Sequence, residues 1–167
     1  MRRLSFLPLT LGALALGTAL TGCGDSNGGE TSTVAGTAYP FAATLNTIQQ
    51  VPKPKGAEGA SGNFLGTITI AGPNGTLDWR LSLKGLTGGA TAAQIHLGAP
   101  RKTGVVAVNL CGPCSPNARG SLGANAGLLL ALVDRPTYVD VQTKRNPRGE
   151  IRGRIKVTKP VGASGGG

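Results

Sequence analysis

His96 is the only histidine of the 167-residue chain, and few other side chains have types and spacing suited to chemistry. One imidazole supplies one proton carrier or one nitrogen ligand. A copper site of several imidazoles is therefore out of reach, and no metal or cofactor is expected. Cys111 and Cys114 flank Gly112-Pro113. That spacing suits a redox pair, half of a zinc site or a short disulfide loop. Gln50, Gln94 and Gln142 offer amides that hydrogen-bond but neither titrate nor supply an imidazole lone pair. Glu150 and Arg152 lie two apart, so on a strand they share a face. They suit a structural ion pair or cross-strand hydrogen bonds better than ligand recognition. No Ser-His-Asp arrangement, phosphate loop or carboxylate pair is visible. No catalytic residue is assigned, and the chain is not expected to be an enzyme.

The elements that position these residues read as strands. Glycines number 28 and aromatics are 4% of the chain, so a core must come from Val, Ile, Leu and Ala between many turns. Phe41–Leu45 suits a first strand. Gln49–Pro54 contains two prolines and belongs at an edge or crossing. Phe64–Ile70 and Thr76–Leu83 read as a hairpin, with Asn74-Gly75 supplying the turn. In its second strand Leu77, Trp79, Leu81 and Leu83 share one face, which makes Trp79 a core residue. In Ala92–Leu97, Ala93, Ile95 and Leu97 face inward, so Gln94 and His96 share the other side. Val105–Leu110 is apolar, and a polar loop is expected from Cys111 to Ala124. Leu128–Val133 suits one or two helical turns ended by Pro136. Thr137–Thr143 and Gly149–Val157 read as the last strands. In the latter, Ile151, Gly153, Ile155 and Val157 point inward and Glu150, Arg152, Arg154 and Lys156 outward. About seven or eight short strands predict an all-β, antiparallel Ig-like or Greek-key sandwich or barrel with one short helical turn.

The N-terminus is built differently. Arg2 and Arg3 precede an apolar run, Leu4–Leu20, which has the composition of a secretory signal. Leu20-Thr21-Gly22-Cys23 resembles the bacterial lipobox, which implies cleavage before Cys23 and lipid attachment to it, with acylation of the new N-terminus. Residues 1–22 are then the signal, 23–39 a flexible tether, 40–158 the domain and 159–167 a disordered tail. Gly24, not Asp, follows Cys23, which favours the outer membrane or cell surface over the inner membrane.

Gln50-Val51-Pro52, the Trp79 strand, Gln94-Ile95-His96 with Gly98-Ala99-Pro100, Gly104-Val105-Val106, Tyr138–Thr143 and Gly149–Gly153 together resemble the CHRD domain, first recognised in chordin. The resemblance spans about Phe41 to Ile155 and implies an Ig-like barrel related to copper/zinc superoxide dismutases, but no settled activity. The family's Glu-Val-Pro, His-Ile-His and Asn-Val-His-Thr stand here as Gln50-Val51-Pro52, Gln94-Ile95-His96 and Asp140-Val141-Gln142-Thr143. Three positions able to carry charge are thus neutral amides. The expectation is a polar cluster of Gln50, Gln94, His96, Gln142, Glu150 and Arg152 that no longer titrates. Cys111–Cys114 matches the thioredoxin motif. It follows a strand and precedes Ser115-Pro116, a poor helix start, so an exported chain is expected to close it as a disulfide.

These readings make the chain a non-enzymatic, lipid-anchored envelope protein carrying one binding or interaction module. The alternative is a small metal- or thiol-redox protein using His96 and the Cys111/Cys114 pair. The net charge is +10, and Lys144 to Lys159 holds seven basic residues against one acid. Arg154 and Lys156 are the expected contacts with an anionic surface, unless the charges only protect an edge strand. The expected partners are a membrane, through the N-terminal lipid, and an envelope protein or anionic polymer. Nucleic acid is not expected, since export removes it and no aromatics interleave with the charges.

Overall fold

The computed structural model describes residues 36–162. Cys23, the signal and most of the tether lie outside them. Ten strands and one helix follow in chain order: β1 (Thr37–Asn46), β2 (Ser61–Ala71), β3 (Asn74–Lys84), β4 (Ala90–Leu97), β5 (Val105–Cys111), β6 (Asn117–Asn125), α1 (Ala126–Asp134), β7 (Thr137–Thr143), β8 (Ile151–Arg154), β9 (Lys156–Val157) and β10 (Val161–Gly162). One antiparallel sheet runs β5-β4-β7-β8-β1-β2-β3-β6 and curls into a nearly closed barrel. The short β9 and β10 extend the pairing along β1.

Alternation fills the interior. Phe41 and Leu45 of β1, Phe64 and Ile68 of β2, Leu77, Trp79 and Leu81 of β3, Ile95 of β4, Val139 and Val141 of β7 and Ile151 of β8 form the core. Phe64 stacks on Phe41 with ring centres 5.1 Å apart and lies 6.4 Å from Trp79. Asn125 caps α1 by accepting a 2.9 Å hydrogen bond from the Leu128 amide, satisfying one unpaired donor of the first turn. Leu129 and Leu132 bury the helix's apolar side.

Four local expectations change. The link between β2 and β3 is Gly72-Pro73, with Asn74 and Gly75 already in β3. Gly72 takes the positive φ, at 60°. The loop expected up to Ala124 is largely strand: β6 pairs with β3 from Asn125↔Asn74 to Asn117↔Ser82. Its Gly-rich, polar sequence hid it, because the pairing uses main-chain groups. The last strand breaks at Ile155, and its two parts pair with different stretches of β1. In the stretch expected to be a disordered tail, Val161 and Gly162 pair with Ala38 and Thr37.

Candidate functional site

Strand β7 is buried on both faces. Val139 and Val141 enter the core, while Tyr138 and Asp140 are 5% exposed on the opposite face. The neighbouring strands supply that outer face. Register places His96 opposite Tyr138, Gln94 opposite Asp140, and Arg152 opposite Asp140 on the other side. The result is a polar layer outside the barrel, closed off by Gln50 from the β1–β2 connection and by the 98–104 loop.

Tyr138 is its centre. The His96 ring stacks on it at 4.9 Å with an 8° interplanar angle. The Arg152 guanidinium carbon lies 3.2 Å from the Tyr138 ring centre. β4 and β8 flank β7, so His96 and Arg152 reach the ring from opposite sides. The Gly104 amide donates to the Tyr138 hydroxyl at 2.8 Å, and Arg152 Nη2 donates to the Lys102 carbonyl at 2.8 Å. His96 Nδ1 donates to the Gly104 carbonyl at 3.3 Å. That bond places the proton on Nδ1 and leaves Nε2 a buried acceptor without a partner. Burial lowers the His96 pKa, only partly opposed by Gly104, and the Arg152 charge lowers it further. The ring is therefore neutral near pH 7.

Beside this stack the amides form a ladder across three strands. Gln142 Nε2 donates to Gln94 Oε1 at 3.1 Å, and Gln94 Nε2 donates to Asn109 Oδ1 at 2.8 Å. Gln50 Nε2 donates to the Arg148 carbonyl at 3.0 Å, while its Oε1 is buried without a partner. Gly149 makes room for it. Its φ is 112°, and a Cβ there would sit 1.5 Å from Gln50 Nε2 and 2.4 Å from Asp140 Oδ1. Asp140 is the residue that sequence reasoning missed as a site member. Burial raises its pKa to about 6, against the opposing pull of Gln50, Arg152 and Gln142. The cluster thus keeps a titrating group. The available signal was the alternation Tyr138-Val139-Asp140-Val141-Gln142, which puts all three polar residues on one face.

Glu150 does not join them, and Glu150 and Arg152 do not face outward into solvent as expected. Glu150 is fully buried just before β8 and accepts from the Thr87 amide at 2.6 Å, Thr143 Oγ1 at 2.6 Å, Asn146 Nδ2 at 2.9 Å and the Thr87 hydroxyl. Desolvation raises its pKa, but these hydrogen bonds together hold it below the usual range. Arg152, 4% exposed, spends its contacts on Tyr138 and Lys102, so the two make no ion pair with each other among the described residues.

Arg154 and Lys156 are exposed, as expected of surface contacts. Between the 98–104 loop and the starts of β7 and β8's far end lies a cleft of about 180 Å³, with Tyr138, Arg152 and Arg154 among its walls. A disulfide joins Cys111 and Cys114, whose Cα atoms are 5.3 Å apart. It sits between β5 and β6 rather than at a helix N-terminus, so the helix-end effect that activates a thioredoxin thiol is missing. No group of three or more His, Cys, Asp or Glu side chains converges among the described residues. No helix among them is long and apolar enough to cross a membrane.

The family model of the CHRD domain matches residues 41–155. No curated protein and no solved structure gives a match.

Proposed function

The chain belongs to the CHRD domain family, and from that premise we propose that it is a non-enzymatic envelope protein, lipid-anchored at Cys23, whose domain is a binding module. The observation that carries the binding reading is the layered outer face of β4, β7 and β8. Tyr138, Asp140 and Arg152 are buried there under loops, although the hydrophobic core lies on the other side of the sheet. Folding alone does not need a second, polar layer, and burying charge is costly unless each group is satisfied. Arg154 and Lys156 extend this side of the molecule into solvent as positive charge. A lipid on Cys23 would keep that charge near a bilayer, where each basic residue contributes about 1 kcal/mol toward an anionic surface. The outer membrane or cell surface is the proposed location, since Gly24 follows Cys23.

Two measurements test the reading. Wild type is expected to partition into detergent and Cys23→Ala into the aqueous phase. A processed Cys23→Ala protein that stays with the membrane would remove the anchor. The lipid-free protein is expected to bind anionic vesicles at low salt and to release as salt rises. Reversing Arg154 and Lys156 to Glu should abolish that binding. Binding indifferent to both salt and reversal would leave the basic strand as a self-protecting edge.

A further inference from the structure

The cleft beside Tyr138 has a makeup that a diffuse basic surface does not require. Arg101 of the 98–104 loop and Arg152 and Arg154 of β8 line it, and no acidic side chain is among its lining residues. The rest of the wall is largely apolar or aromatic, chiefly Ile48, Pro100, Pro136 and Tyr138, with Gln49 and Thr137 as its neutral polar members. Arg152 forms the rigid part. Its guanidinium lies over the Tyr138 ring and is tied to the Lys102 carbonyl through Nη2. A guanidinium carries five N–H donors, and that bond is the one hydrogen bond the Arg152 side chain makes among the described residues. Its remaining nitrogens are not among the buried polar atoms left without a partner, and the residue is part of the cleft's wall. Asp140, the acid opposite Arg152 in the register, makes no salt bridge to it among the described residues. Arg101 is held at φ 60°, a left-handed backbone angle that costs a non-glycine residue energy. Ile48 is 87% exposed beside the cleft, an apolar side chain offered to solvent.

Three guanidiniums around a small opening suit an oxyanion with several acceptor oxygens, since each planar fork binds two of them. Ile48, Pro100 and Pro136 suit an apolar body attached to it. We propose that this cleft is a binding site for a terminal phosphate group carried on a partly apolar molecule, with Arg152 as the fixed anchor and Arg101 and Arg154 closing on the phosphate from the rim. The volume of about 180 Å³ is enough for the phosphate and its first attached atoms, leaving the body on Ile48. The proposal deepens the reading of an anion-binding module by naming a discrete site, and it is separable from that reading because Lys156 does not line the cleft.

The test is titration of the purified full chain with phenyl phosphate, followed by amide NMR and calorimetry. Saturable binding is expected, with shifts at Gly98, Arg101, Thr137 and Arg154. The double variant Arg101→Gly, Arg154→Ala is expected to weaken it at least about tenfold, the scale of losing charge-assisted hydrogen bonds. Glycine suits the backbone angle of Arg101 and Arg154 is exposed, so this variant should fold. Arg119→Glu, at a position exposed on β6 and absent from the cleft's lining, should leave phenyl phosphate affinity unchanged within about twofold. Absence of saturation, shifts confined elsewhere, or equal weakening by Arg119→Glu would overturn the site. Tighter binding of benzoate than of phenyl phosphate would overturn the assignment to phosphate. Vesicles containing phosphatidic acid then separate the sources. Displacement of bound vesicles by phenyl phosphate assigns the cleft to a lipid headgroup. Vesicle binding that persists in saturating phenyl phosphate assigns it to a soluble phosphate, with the membrane held by Lys156 and its neighbours.

Discussion

Asp140 holds a carboxyl at 5% exposure, and burial raises its pKa from 3.8 to about 6. A raised folded-state pKa means the folded protein binds the proton more tightly than the unfolded chain. The stability this contributes is present below about pH 3.8 and is lost as pH rises through 6. At pH 7 the buried carboxylate therefore costs on the order of 3 kcal/mol relative to a neutral group of the same shape. Asp140→Asn is expected to be the more stable protein at pH 7, by up to that amount, with the difference fading between pH 6 and pH 4. Urea denaturation at several pH values measures it. A variant less stable than wild type at pH 7 would mean that Arg152 holds the carboxylate more firmly than its burial penalises it. The CHRD resemblance made the residues around Asp140 legible, since Gln50, Gln94, His96, Gln142 and Arg152 do share the outer face. Asp140 itself escaped because its importance lies in its burial. That burial comes from loops 47–60 and 98–104, whose docking no strand periodicity encodes.

At the scale of elements, Glu150 fastens three segments that have little apolar surface to hold them. Its carboxylate receives hydrogen bonds from Thr87 before β4, from Thr143 at the end of β7 and from Asn146 in the β7–β8 turn. Asn146 in turn accepts from the Lys55 amide at 2.8 Å, which brings in the β1–β2 connection. Removing the carboxylate leaves several buried donors unpaired, each costing about 1–3 kcal/mol. Glu150→Ala is expected to lose roughly 3–5 kcal/mol. Its pKa lies below the usual range, so wild type itself should lose this stabilisation as acid protonates Glu150. Chemical denaturation of the variant and of wild type at low pH checks both, and a loss under about 1 kcal/mol would show that water replaces the carboxylate. Alternation correctly placed Leu77, Trp79, Leu81, Ala93 and Ile95 inside, yet it also placed Glu150 and Arg152 in solvent. Period two assigns a face and not its exposure, and here the outer face of β8 is covered. Strand β6 was invisible for the complementary reason. Asn117–Asn125 pairs through backbone groups and offers few side chains to a pattern.

The described residues form a sheet whose two ends, β5 and β6, nearly meet, and the chain itself spans the gap between them. β5 ends at Cys111, β6 begins at Asn117, and the Cys111–Cys114 disulfide tightens the turn that joins them. That turn is bonded to both sides of the barrel. The Cys114 amide donates to the Ala90 carbonyl at 3.0 Å, ahead of β4's main pairing, and the Leu83 amide of β3 donates to the Pro116 carbonyl at 2.7 Å. The disulfide thus acts on barrel closure, far along the sheet from the Arg152 face on β8. A ring enclosing only Gly112 and Pro113 removes little chain entropy, so its loss should cost about 2 kcal/mol, or roughly 5–10 °C in Tm. Cys111→Ser with Cys114→Ser is expected to remain folded, with faster amide exchange at the facing ends of β5 and β6 and unchanged exchange in β7 and β8. Phenyl phosphate affinity should be the same as in wild type. Global unfolding of this variant, or faster exchange spreading into β7, would mean that closure of the barrel and burial of the Tyr138 layer form one cooperative unit, and the outer face would then depend on the disulfide for its shape.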